Sequence, residues 1–312
     1  MHRYSFILTR PLQFVPVVFG VSLITFILVR MIPGDPARVL LGARATPTAI
    51  ANIRAQYGLD EPLWLQYVYF LRNLAHGEMG TSIVYKIDVL RLIATRIEPT
   101  FALVLCSVLL SILIAVPLAA LAARNQGRPV DHAIRIVSTF GIGFPPFWLG
   151  LMLMMLLAVR FPLFPVSGYG DTLGEKLLHL ALPSLTIALS LSTVLLRSLR
   201  AAMVDWLKSD VATAARARGM PEHIVFWRHV LPNSIAPSIN LLAVNIGWLI
   251  GGTVVIESIF AVPGMGQLLV RAIFSRDYMV VQGVAMVFAC ATVLVNFLAD
   301  IATVFVDPRV KL

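Results

Sequence analysis

The chain has 312 residues, 58% of them hydrophobic and 13% charged, with a mean hydropathy of +0.85, whereas soluble domains carry about 25% charged residues. That apolar excess excludes an ordinary soluble enzyme, because it would expose more contiguous apolar surface than water tolerates. The balance of 25 Lys and Arg against 16 Asp and Glu gives a net charge of +9, which in an integral membrane protein reports cytoplasmic loops rather than a nucleic-acid partner.

Six stretches are apolar over the roughly 17 to 25 residues that a helix needs to cross the hydrocarbon. They centre on Thr9 to Val29, Thr100 to Ala122, Ile136 to Val159, Leu178 to Leu196, Ile235 to Ile256 and Val280 to Val306. Pro117, Pro145, Pro146, Gly247 and Gly251 lie within them, and spanning helices tolerate such residues when neighbours satisfy the freed backbone groups. The first stretch is too long for a signal peptide, and no small-residue cleavage pattern follows it before Arg30. Cys106 and Cys290 fall inside apolar runs, where free cysteine packs as a small hydrophobe.

Between the first two spans, residues 31–98 read as an external helical segment. Thr46-Pro47 is an N-cap with proline at the first helical position, and Gly58 is the stop of that helix. Glu61-Pro62 opens a second helix, with Trp64, Tyr67, Val68 and Leu71 at helical spacing. Two readings of this stripe stand: packing on the outer ends of the membrane helices, or reception of an external partner.

Orientation follows from the short loops. Arg124, Arg128 and Arg135 follow the second span, and Arg197, Arg200, Lys208, Arg216, Arg218 and Arg228 follow the fourth; Arg3, Arg10, Arg309 and Lys311 mark the two ends. The positive-inside rule makes both termini and both basic loops cytoplasmic.

The loop from Leu199 to Asn233 is the largest cytoplasmic piece. Ser209 and Asp210 cap a short helix through Arg218, Gly219 ends it, Pro221-Glu222 starts a second, and Pro232 stops that one. Helices so short are marginal alone in water, so contacts must hold them. Ala212, Ala214, Ala215 and Ala217 permit close backbone approach, while Val211, Val225, Phe226 and Trp227 offer apolar anchors. A knob entering a protein cleft and an amphipathic helix on anionic headgroups both fit this composition.

Thr213-Ala214-Ala215, three residues, Gly219 and then Leu231-Pro232 resemble the cytoplasmic loop signature of bacterial ABC importer permeases, with Thr213 in place of its Glu and His229 in place of its Ile. Arg30 to Pro36, Tyr57 to Leu63, Gly77 to Ser82, Pro165 to Gly168, Val262 to Gly266, Arg276 to Tyr278 and Val306 to Arg309 are similar to motifs of the dipeptide and oligopeptide branch, with its glutathione and nickel relatives. The resemblance implies an all-α integral membrane protein of six transmembrane helices with the type I ABC importer permease fold. Its parts would be the cytoplasmic N-terminus and first span (1–30), the external segment (31–98), the transmembrane domain (99–306) with a coupling loop (199–233), and a cytoplasmic tail (307–312). It further implies a second homologous permease, two cytoplasmic ATPases that handle ATP and magnesium, and an external solute-binding protein, in the bacterial cytoplasmic membrane. Ser209, Asp210, Val211, Thr213, Ala214, Ala215, Arg216, Arg218, Gly219, Phe226, Leu231 and Pro232 would belong to the region seated on an ATPase.

The sequence contains no Gly-x-x-x-x-Gly-Lys-Ser/Thr loop, no His-Glu-x-x-His and no Gly-x-Ser-x-Gly, so neither a nucleotide site, a zinc protease nor a serine hydrolase is expected in this chain. Gly168-Tyr169-Gly170-Asp171 spells the Gly-x-Gly-Asp of intramembrane aspartyl proteases but lies in an external loop. No catalytic residue, metal ligand or resident cofactor is expected. Glu257 near the outer end of the fifth span reads as an outer-gate or helix-end group, and Asp300 as an interhelical or headgroup contact. Asn240 and Asn245, with Ser190, Ser192 and Thr193, either line a wet path or form ordinary interhelical hydrogen bonds. The function expected is a permease subunit importing small peptides or a related solute, against the alternative of a stand-alone secondary carrier.

Overall fold

The computed structural model describes residues 14–31, 38, 41, 46–56 and 60–306. Arg3, Arg10, Gly58, Arg309, Lys311 and most of the motifs beginning at Arg30, Tyr57 and Val306 lie outside these residues. Among the described residues the architecture is all helical, with one isolated antiparallel bridge between Thr81 and Asp88. The helices are α1 (Phe14–Met31), α2 (Pro47–Gln56), α3 (Leu63–Ala75), α4 (Val89–Arg124), α5 (Pro129–Gly143), α6 (Pro146–Leu153), α7 (Leu173–Leu207), α8 (Asp210–Ala217), α9 (Glu222–Val225), α10 (Leu231–Ile259), α11 (Met265–Phe274) and α12 (Tyr278–Val306).

Among the described residues, four helices are long and apolar enough to cross a bilayer: α4, α7, α12 and the continuous run Glu222–Ile259 that ends in α10. The stretch expected as a third span, with Pro145 and Pro146 inside it, is interrupted at those prolines. α5 stops at Gly143, Phe144 is extended, and Pro146 opens α6. The cause is local: a residue before proline is pushed out of the α region, and Pro145 offers no N–H to continue the ladder. Beyond α6 the backbone widens into a π-helical turn, Met154–Arg160.

Two compact units divide the chain. In the larger, which contains residues 99–267 and the chain from 291, α7 is central. Its most apolar window is 56% buried against 22% for that of α4, and it packs against α5, α6 and α10. A capping box starts α7: the Thr172 hydroxyl accepts the Glu175 N–H, and the Glu175 carboxylate accepts the Thr172 N–H. These backbone donors hold the Glu175 carboxyl below its ordinary pKa.

In the smaller unit, residues 11–98 and 268–290, the Thr46 hydroxyl accepts the Ala49 N–H, as expected of an N-cap. The expected stripe on α3 divides. Tyr67 packs edge-on against Phe19 and Phe26 and shares a 2.7 Å hydrogen bond with Ser22, whereas Trp64 and Val68 are exposed. Two motifs far apart in sequence also meet here. Asp277 is buried and accepts the Ser82 hydroxyl at 2.5 Å and the Val84 N–H at 3.1 Å, which ties Gly77–Ser82 to Arg276–Tyr278.

Candidate functional site

The loop between α7 and α10 folds as two short helices on the chain's own membrane helices. Ser209 caps α8 by accepting the Ala212 N–H at 3.3 Å. Gly219 ends it with φ +78°, its N–H donating to the Arg216 carbonyl while the Met220 N–H reaches the Ala215 carbonyl. This pair of bonds is the Schellman arrangement, which a residue without Cβ enters freely. Arg216 then fixes the corner by donating to the Leu207 carbonyl and to Glu222 at 2.6 Å. The guanidinium holds the Glu222 carboxyl below its ordinary pKa.

One face of the loop is packed and the other is open. Ala212, Ala215, Val225, Phe226 and Val230 form a core with Ala119 and Ala123 of α4 and Leu199 and Met203 of α7. The small residues let the backbones approach closely, and the Arg124 guanidinium lies 5.6 Å from the centre of the Phe226 ring. Two of the residues assigned to a partner's groove, Ala215 and Phe226, are therefore turned inward: each is at most 5% exposed, and they secure the loop to its own chain. The open face presents Val211, Thr213, Ala214, Arg218 and Gly219, joined by Ile224 and Trp227, with Asp210 exposed at the start of α8.

Pro232 does not stop the second helix. Residues Phe226–Val230 are π-helical and run directly into α10, with Leu231 packed on the loop core and Pro232 in its first turn. The wider turn ahead of Pro232 accommodates its missing N–H and relieves its ring against the preceding carbonyl, so the chain continues from Glu222 to Ile259.

The polar residues on the spans sort into three places. Asn245 and Ser190 line one cavity of about 320 Å³, together with Phe144, Trp248 and Gly252, and the buried Ser190 hydroxyl has no hydrogen-bond partner there. Ser192 and Thr193 line an adjoining, mostly apolar cavity with Val137 and Leu118, which shares Gly141 and Phe144 with the first, and both bond the Leu189 carbonyl. Asn240 accepts the Thr303 hydroxyl at 2.9 Å, an interhelical contact to α12.

Glu257 is fully buried near the end of α10. One carboxylate oxygen accepts the Thr100 hydroxyl at 2.7 Å and the other the Gln267 N–H at 2.9 Å, while Thr100 accepts the Met265 N–H at 2.8 Å. The two glycines of Val262–Gly266 are needed for this closeness. A Cβ at Gly264 would stand 2.5 Å from the Thr100 hydroxyl, and one at Gly266 would stand 2.6 Å from the Val254 Cα. Asp300 is half-buried on α12.

Sequence reasoning missed the ion pair that ties the two basic loops together. Arg200 grips Asp131 through Nε at 2.6 Å and Nη2 at 2.5 Å, and the Gly127 N–H adds a third contact at 3.0 Å. The Arg200 hydrogen bonds hold the Asp131 carboxyl at a pKa of about 2. Its signal was available: Asp131 is the one carboxylate between Arg124 and Arg135.

Residues 115–312 match the family described as binding-protein-dependent transport system inner membrane component, and residues 3–104 match its N-terminal companion. The probable D,D-dipeptide transport system permease protein of Escherichia coli K12 is 37% identical, covering 99% of this chain and 98% of the relative. An oligopeptide transport system permease protein of Bacillus subtilis is 34% identical, and a glutathione transport system permease protein of Pectobacterium atrosepticum is also 34% identical; each covers 98% of this chain and 99% of the relative. Among solved structures, an inward-facing conformation of the MetNI methionine ABC transporter superposes with a TM-score of 0.59 at 15% identity. It covers 69% of this chain and 96% of that one, a likeness of fold. With both family matches and full-length relatives above 30% identity, the chain belongs to the inner-membrane permease components of binding-protein-dependent ABC transport systems, and it is a multi-pass transport permease rather than a stand-alone carrier.

Proposed function

We propose that this permease imports small peptides or a chemically related solute, and that the loop 199–233 couples it to two cytoplasmic ATPases. The observation that carries the coupling assignment is the two-faced loop. Ala212, Ala215 and Phe226 anchor it to α4 and α7, while Val211, Ala214, Gly219, Ile224 and Trp227 stay uncovered. Exposed apolar side chains beside a glycine corner suit insertion into a protein cleft. A displacement of the cleft would then pass through the packed face into α7 and α10 as a rigid movement.

In this reading a second homologous permease supplies the other half of the path. ATP and magnesium are handled by the ATPases, an external binding protein delivers the solute, six spans cross the membrane, and both termini are cytoplasmic. Asn245 and Ser190 belong to the path wall, and Glu257 to a structural knot at the outer end of α10. The peptide-transport names of the full-length relatives support the solute class.

The test is purification through a tag on this chain with its neighbouring genes co-expressed. Recovery of two ATPases and a second permease, with hydrolysis stimulated by an external binding protein and its ligand, is the expected result. Purification of the chain alone with ATP-independent uptake in liposomes would overturn the reading.

A further inference from the structure

We propose that the inner ends of α5 and α7 form an oxyanion site built from His132, Arg135 and Arg197. These residues line a cavity of about 580 Å³ whose remaining wall includes Ile136, Thr139 and Arg200. Arg200 is already neutralised by Asp131. Among the described residues, Arg135 and Arg197 have no carboxylate at ion-pair distance. The Arg197 guanidinium is nonetheless held in place, because its Nη2 donates to the Thr139 hydroxyl across the cavity at 2.9 Å.

Arg135 and Arg197 are exposed to one cavity, Asp131 attracts Arg135 without bonding it, and an oxyanion between the two guanidiniums would gain charge-assisted hydrogen bonds from both. Their planar forks match the paired oxygens of a carboxylate or a phosphate. The cavity shares helix α7 with the one at Asn245. Ser190 and Val194 of α7 line the cavity at Asn245, and one turn further along the same helix Arg197 and Arg200 line the basic one. An anion reaching the basic cavity has two sources: the carboxylate of a transported solute, or the phosphate of an anionic lipid in the inner leaflet. The solute source rests on the import reading above; the lipid source does not.

The experiment uses the full-length chain with whatever subunits co-purify, in phosphatidylcholine nanodiscs, and counts bound anions by native mass spectrometry. Phosphatidylglycerol, inorganic phosphate and alanylalanine are the probes, each read directly as binding, so failure of transport leaves the result intact. The combined Arg135→Gln and Arg197→Gln variant is expected to bind at least one probe about tenfold more weakly, the size expected for losing charge-assisted hydrogen bonds. Arg135→Lys with Arg197→Lys should restore only part of that binding, the part due to charge without the paired geometry. Loss confined to phosphatidylglycerol assigns the lipid source, and loss for alanylalanine but not its amide assigns the solute source. Unchanged binding of all three probes overturns the site. If the Gln variant does not fold, the wild-type chain decides: binding that is insensitive to salt between about 0.1 and 1 M contradicts an electrostatic site.

Discussion

Thr100 donates its hydroxyl to Glu257 while accepting the Met265 N–H, so a single side chain of α4 closes the turn between α10 and α11. The carboxylate at its centre serves as an acceptor for donors arriving on both of its oxygens.

Glu257→Gln should therefore destabilise the protein although it preserves shape. An amide offers one acceptor oxygen and one donor nitrogen, so either the Gln267 N–H faces another N–H or the Thr100 O–H loses its acceptor in a buried site. The expected loss is about 1–3 kcal/mol, read as a lower unfolding temperature in detergent. Wild-type stability in this variant would show that the knot contributes little.

Asp131→Asn should weaken the link between the start of α5 and the C-terminal half of α7. The Asp131 carboxyl has a folded-state pKa near 2, below its ordinary 3.8. Its contribution is therefore fully present above about pH 4 and is lost as pH falls toward 2, where the folded form also takes up the proton. The stability gap between wild type and Asp131→Asn should be constant from neutral pH down to about 4 and narrow below it. A gap that widens on acidification would contradict the assigned ion pair.

Phe226 and Trp227 are sequence neighbours with opposite surroundings, 1% and 56% exposed. Phe226→Ala removes a ring from the loop core and should cost about 3–5 kcal/mol. Trp227→Ala should leave the unfolding temperature nearly unchanged and instead reduce recovery of the ATPases with the tagged permease. Equal effects of both substitutions on both measurements would refute the division of the loop into a packed face and an open one.

Gly219 sits in the left-handed region with open space where a side chain would stand. Gly219→Val should cost about 1–2 kcal/mol through backbone strain alone, whereas Gly219→Asn should be milder, since Asn tolerates this conformation. ATP-driven uptake should fall in the order wild type, Asn, Val, with membrane insertion unchanged. Uptake insensitive to both would remove Gly219 from the coupling corner.

Asp277→Ala should loosen the segment between Gly80 and Val89, because the Ser82 hydroxyl and the Val84 N–H lose their shared acceptor. Lys86 is exposed within that segment. Trypsin should cut there faster in the variant, and an unchanged cleavage rate would show that the turn is held by its backbone bonds alone.

The helices were legible where a single physical signal dominated. Apolar length located α4, α7, α10 and α12, and the caps at Thr46 and Ser209 and the glycine at 219 placed helix ends within a residue. Composition left three things unread. The facing of Ala215 and Phe226 depends on which side of a short helix meets α4 and α7, and one loop sequence cannot specify its neighbours. Pro232 carried a stop signal that a π-helical turn absorbed, and nothing in the residues themselves marks that adjustment. The pairs Asp131–Arg200 and Ser82–Asp277 join positions 69 and 195 residues apart, separations at which only tertiary structure brings side chains together.

The interruption at Phe144-Pro145 separates α5 from α6 into two rods with an unladdered joint. Bending an intact helix at that depth would sacrifice backbone hydrogen bonds in hydrocarbon, at several kcal/mol each. Here those rungs are already missing, so the joint itself adds little resistance to bending, and α5 can turn as far as its bonds from Asp131 and Thr139 to Arg200 and Arg197 of α7 allow. α6 can meanwhile stay seated where Gly150 allows Thr186 and Phe260 to press against the backbone. A transporter that alternates its openings needs compliance at some point along its wall, and this one has it where two adjacent prolines leave the ladder open.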